Sequence, residues 1–255
     1  MPSTKNLQIA NIIGLIAVLV LNTLAVTLPL AGRNTGEISD LYPNLFVPAG
    51  YAFSIWSVIY ILLIIFIVLQ AKGLFKKDQP APDFVGQIGW WFVVSCVANS
   101  LWIVAWHNLL VSVSLLLMLL ILFSLVQIYQ RINNGGEVPF LVKLPFSIYL
   151  GWITVATVAN VTAVLVASGW SGWGVSEINW TVIVLITASL IAALVVWTRK
   201  DWAYLLVIIW AFYAIVVKRQ AVGNPDETII ITTIYVALAF LILLLLARIF
   251  LLKRT

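Results

Sequence analysis

Three groups of residues place aromatic rings on one helical face, two of them with an amide. Phe53, Trp56 and Tyr60 recur at i, i+3 and i+7, and Asn99, Trp102 and Trp106 repeat that spacing. Tyr149, Trp152, Ala156 and Asn160 follow i, i+3, i+7 and i+11. On an α-helix each set falls on a single stripe. Indole and phenol rings offer flat apolar faces, and a side-chain amide offers a donor and an acceptor that can orient a polar edge. The chemistry is recognition rather than bond making, because a mostly apolar pocket with a few polar groups suits a planar apolar small molecule. Asn22 joins the set by depth. Asn22, Asn99 and Asn160 each lie 7 or 8 residues from the outer end of their apolar run, which at 1.5 Å per residue is roughly 10–12 Å. Trp56 sits at the same level. An amide in hydrocarbon needs partners, so all three must face the bundle interior or a cavity. Interhelical hydrogen bonding is the plainer reading of each asparagine, as core packing is of each aromatic stripe.

The elements that position these residues follow from composition. Hydrophobic residues make up 63% of the 255-residue chain and charged residues only 9%, with a mean hydropathy of +1.11. That is the composition of an integral membrane protein. Uncharged runs cover 8–30, 48–71, 86–106, 109–130, 144–168, 179–198, 202–217 and 228–247, and most can cross a hydrocarbon core of about 30 Å. An all-α polytopic bundle of about eight transmembrane helices is expected, with 202–217 the weakest span at 16 residues. Pro48 is expected in the first turn of the second helix, where its missing N–H is not needed. All nine carboxylates lie between the runs, as the cost of buried charge requires.

Charge asymmetry sets the orientation. With the N-terminus in the cytoplasm and eight spans, Lys5, Lys72, Lys76, Lys77, Arg131, Lys143, Arg199, Lys200, Arg248, Lys253 and Arg254 lie inside, and only Arg33, Lys218 and Arg219 outside. Basic residues favour the cytoplasmic side, so both ends are expected there. The net charge of +5 then reflects topology, and nucleic acid is excluded as a partner. The first apolar run follows Lys5 but is long for a signal peptide and lacks a clear cleavage site, so it reads as a retained helix.

Most of the twelve tryptophans fit an interfacial belt: Trp90, Trp91, Trp197 and Trp202 at inner ends, Trp106, Trp170, Trp173 and Trp180 at outer ends. Trp56 and Trp152 lie 8 residues inside their runs, roughly 12 Å, too deep for a belt, and Trp210 is also mid-span. His107, in a tight outer turn, is expected to be a solvated interfacial residue. The single cysteine, Cys96, gives neither a disulfide framework nor a redox pair. No metal centre is expected from one histidine, one cysteine and loop carboxylates. The absence of a phosphate-binding G-x-x-x-x-G-K-[ST] loop excludes a self-contained ATP-driven pump, and uncharged spans lower the case for ion-coupled transport.

Three motifs occur in a consistent order: Pro48-x-Gly50-x-x-Phe53-x-x-Trp56-x-x-x-Tyr60, Asn99-x-x-Trp102-x-x-x-Trp106 and Tyr149-x-x-Trp152-x-x-x-Ala156-Thr157-x-x-Asn160. In these the chain resembles the translocator protein, or tryptophan-rich sensory protein (TspO/MBR), family over residues 8–168. The resemblance implies a five-helix bundle over 1–168 that holds a porphyrin or sterol-like ligand beneath the loop 31–47. Residues 169–255 would then be three additional transmembrane helices. It places Pro48, Trp56, Asn99, Trp102, Trp152, Ala156 and Asn160 around the pocket. Phe46 stands where the family has a tryptophan, which argues against the porphyrin degradation ascribed to some members, and Ala49 replaces a second proline. The family's sterol motif is not found at the end of the fifth helix, although Val126, Tyr129 and Arg131 fit its generic pattern at the end of the fourth.

Three readings remain open: a small-molecule receptor or sensor, a passive transporter, and a membrane scaffold. The receptor is favoured, with no catalytic residues, no metal and no cofactor beyond a porphyrin as ligand. Its expected partners are that apolar ligand and membrane lipid, with a homodimer left open.

Overall fold

In the computed structural model, which describes residues 4–28, 32–74 and 80–252, no strand occurs among those residues. The long helices are α1 (Thr4–Thr27), α3 (Ile55–Gln70), α5 (Trp91–His107), α6 (Val111–Asn134), α7 (Phe140–Ala167), α8 (Glu177–Arg199), α9 (Trp202–Val222) and α10 (Thr228–Leu252). Two short helices, α2 (Thr35–Ser39) and α4 (Asp83–Ile88), lie in connecting segments. Among the described residues, seven helical segments are long and apolar enough to cross a membrane, and Trp91–His107 is an eighth, shorter apolar helix. The all-α membrane bundle expected from composition is present. Ala31, Lys76, Lys77, Lys253 and Arg254, which entered the loop and orientation arguments, lie outside the described residues.

Four expectations are corrected. The short span is the third, not the seventh: Gly89 takes φ 60°, a left-handed conformation that suits glycine, and ends α4 before α5 begins. The seventh apolar run ends at Lys218 and Arg219, but α9 continues through both to Val222, since each finds a carboxylate partner. Pro48 precedes its helix rather than starting it. Ala49 N-caps a 3₁₀ turn over Gly50–Ser54, and the α-helix begins at Ile55. His107 is fully buried, with Nδ1 3.3 Å from the Ile103 carbonyl, so it is not a solvated interfacial residue.

Polar pins join the helices at both ends. Near the N-terminal end of α1, the Asn11 amide donates to Gln70 Oε1 at 2.7 Å, and Gln70 Nε2 returns a bond to the Gln8 carbonyl at 3.1 Å. Gln8 also reaches the Lys72 carbonyl at 3.1 Å. Arg219 and Glu227 form a buried ion pair at 3.1 Å between the last turn of α9 and the turn leading into α10. Close backbone approach ties α9 to α7: a Cβ on Gly151 would stand 3.0 Å from Val207 Cβ and 3.1 Å from the Tyr204 carbonyl. Tyr204 OH bonds Thr154 Oγ1 at 3.2 Å along the same seam. Tyr129, the central residue of the generic sterol pattern, is buried and donates to Asp201 Oδ2 at 2.8 Å.

Candidate functional site

Trp56, on the first turn of α3, is the hub of the aromatic stripes. Its ring stacks on Tyr60 at 5.5 Å and meets Trp102 of α5 at 6.1 Å. Edge contacts to Tyr149 and Trp152 of α7 lie at 5.8 and 6.4 Å. Phe53, in the preceding 3₁₀ turn, meets Trp152 edge-on at 5.8 Å, and Trp102 stacks on Trp106 at 6.1 Å. These separations are those of favourable offset and edge-to-face ring pairs. Three separately read stripes thus converge on one aromatic cluster.

A cavity opens against that cluster. Its walls are Pro48, Phe53, Trp56, Trp102, Trp106, Trp152, Val155, Ala156, Ala159 and Asn160, joined by Thr35 and Ser39 of the segment between α1 and α3. Its free volume is only ≈ 30 Å³, enough for a water or two. A planar macrocycle therefore requires rings or loop to move apart.

Eight of the expected site residues stand on this wall; Asn22, Phe46, Tyr60, Asn99 and Tyr149 do not. Asn22 Nδ2 donates to Asn99 Oδ1 at 2.9 Å, and Asn99 Nδ2 to Tyr149 OH at 3.0 Å, so α1, α5 and α7 are joined by one hydrogen-bonded chain beside the pocket. Tyr60 and Tyr149 reach the site only through Trp56. Phe46 is buried, with its N–H held by Asn44 Oδ1 at 3.1 Å. Asn160 is on the wall, but its Oδ1 accepts from Ser114 Oγ at 2.9 Å and its Nδ2 is 3.3 Å from the Ala156 carbonyl. Trp106, assigned to the belt as well as to a stripe, is buried on the wall.

The polar groups that sequence reasoning missed are indole N–H groups. Trp106 Nε1 donates to the Thr35 carbonyl at 3.2 Å, whereas Trp102 Nε1 and Trp152 Nε1 are buried without a partner. A buried donor left unpaired costs about 1–3 kcal/mol. The depth of Trp152 in its span was legible, but the direction of its N–H was not. The loop residues Thr35 and Ser39 left no periodic signal.

The loop is itself ordered locally. Asn34 Oδ1 accepts from the Gly36 and Glu37 amides, both at 3.0 Å, and Glu37 Oε2 accepts from the Asn34 amide at 2.8 Å. This reciprocal capping box makes a helix of the five-residue α2. Gly36 lets α2 lie on Phe53, whose ring carbon would be 3.4 Å from an added Cβ. Tyr42 leans on Trp106 with centroids 6.1 Å apart, and burial raises its phenol pKa above the ordinary value.

No metal-holding cluster of His, Cys, Asp or Glu occurs among the described residues. A search of curated proteins finds no match, and none is found among solved structures. The family model described as TSPO-like protein matches residues 8–247, from α1 into α10. Together with the apolar helices, that match establishes an integral membrane protein, and the chain belongs to the TSPO-like protein family.

Proposed function

We propose that this protein is a membrane receptor or sensor that binds a planar apolar small molecule, of porphyrin or sterol-like shape, with an oxygen acceptor at its edge. The observation that carries this reading is that Trp102 and Trp152, two of the tryptophans lining an aromatic cavity, each hold a buried indole N–H without a partner. A carbonyl or carboxylate oxygen of a ligand would satisfy donors that the fold leaves unpaired, while Trp56 and Phe53 contribute apolar faces. Residues 1–168 carry the pocket and 169–255 support it. Both termini lie in the cytoplasm by the basic-residue asymmetry, and no catalytic step is assigned.

Intrinsic-tryptophan quenching of the purified full-length protein, titrated with protoporphyrin and with cholesterol, tests the proposal. Saturable quenching that weakens about tenfold or more in Trp152→Ala, equivalent to 1.4 kcal/mol per decade, is expected. Quenching that is unsaturable, or unchanged by that substitution, removes the receptor reading. Solute flux through proteoliposomes without saturable binding would favour passive transport instead.

A further inference from the structure

The loop above the pocket is held from the side by helices that contribute nothing to the pocket wall. Every wall residue lies between positions 35 and 160, yet α8 and α9 grip the loop and the 3₁₀ turn that follows it at four points. Lys218 of α9 pairs with Asp40, the C-cap of α2. The Ala49 amide, at the base of the loop, donates to the Ala214 carbonyl of α9 at 3.0 Å. Trp210 Nε1, also on α9, donates to the Ala52 carbonyl at 3.1 Å, and its ring meets Tyr51 edge-on at 5.3 Å. Glu177, in the first turn of α8, accepts from the Leu45 amide at 3.0 Å. On the pocket side, Trp106 makes one hydrogen bond to the loop, at Thr35.

We propose that α8 and α9 latch the loop over the pocket, so that helices outside the pocket set the rate at which it opens. The ≈ 30 Å³ cavity supplies the reason for such a device, because no planar ligand enters without displacement of loop or rings. Asp40 is exposed and Lys218 partly so, which leaves this point of the latch open to ions, partners and neighbouring headgroups. The Ala49 and Trp210 bonds are the inner points, which turn loop opening into a local separation from α9. For what passes the latch, the inference rests on the receptor reading; for the motion itself it does not.

The test is thiol accessibility in the full-length protein. Ala156→Cys places a reporter on the pocket wall, and the native Cys96, buried at 4% exposure, gives the background in the parent chain. A water-soluble methanethiosulfonate should modify the introduced thiol about two- to fivefold faster when Asp40→Lys or Lys218→Asp is added, the range an exposed ion pair supports. Combining both reversals should restore the slow rate. Trp210→Phe keeps most of the ring and removes the N–H bond to Ala52, and should accelerate labelling independently. Unchanged rates in the single reversals and in Trp210→Phe, or acceleration that the double reversal does not restore, would overturn the latch. No ligand is needed, so a failed porphyrin titration with a responsive thiol would discard the ligand and keep the latch.

Discussion

Asn22 on α1 and Asn99 on α5 share a hydrogen bond of 2.9 Å, and Asn99 is itself fully buried with its amide nitrogen on the Tyr149 hydroxyl. The bonded groups of this amide layer are spent on holding helices together beside the pocket. Asn99→Ala should therefore lower stability, by about 1–3 kcal/mol for the partners left unpaired, and change ligand affinity little. In a double-mutant cycle with Asn22→Ala, unfolding in micelles should show a coupling of about 0.6–1.7 kcal/mol. A coupling near zero would mean the two amides act separately.

The indole donors predict a different signature. Trp102→Phe and Trp152→Phe keep an aromatic face and delete the unpaired N–H, so each should weaken an oxygen-bearing ligand by about 0.5–1.5 kcal/mol, the net worth of one hydrogen bond. Trp173, 80% exposed and in edge contact with Trp170 and with Trp180 of α8, is the control whose replacement by Ala leaves affinity unchanged. Equal effects in all three variants, read from quenching isotherms, would remove the donors from recognition.

The seam between α7 and α9 has no room at Gly151. Gly151→Val should cost about 1–3 kcal/mol by overpacking, because the Tyr204 carbonyl at 3.1 Å is backbone and cannot turn aside. Thermal unfolding in detergent reads this directly, and an unchanged midpoint would mean that the helices separate freely there.

Arg219 and Glu227 are both nearly sealed from solvent, with side chains 7% and 5% exposed. Glu227→Ala strands a buried guanidinium and should cost about 3–5 kcal/mol, whereas the joint change with Arg219→Leu should recover most of it. Chemical denaturation of the two variants distinguishes the cases. A double variant as unstable as the single one would show that the pair does more than neutralise itself.

Topology can be checked without ligand. Reporter fusions after Lys143 and after Arg254 should both read cytoplasmic, as the eleven-to-three basic asymmetry requires. A reporter at the C-terminus that reads on the opposite side would reject the eight-span orientation.

Hydrocarbon imposes local rules, and what obeys them was legible in the chain. Eight uncharged runs became eight apolar helices because backbone groups in lipid must pair within their own segment. The stripes through Trp56, Trp102 and Trp152 converged because helical period fixes the face a residue shares with its neighbours. The break at Gly89 depended on a local left-handed backbone that hydropathy does not register. The continuation of α9 through Lys218 and Arg219 depended on carboxylates elsewhere, at Asp40 and Glu227. The choice among amide partners was also tertiary: Asn99 could have faced a ligand, but Asn22 and Tyr149 occupy it across 77 and 50 residues of sequence. So was the hold of α8 and α9 on the loop, whose partners Lys218 and Asp40 are 178 residues apart. Periodicity is a property of one helix, whereas a hydrogen bond or ion pair is a property of two, and only packing decides which two meet.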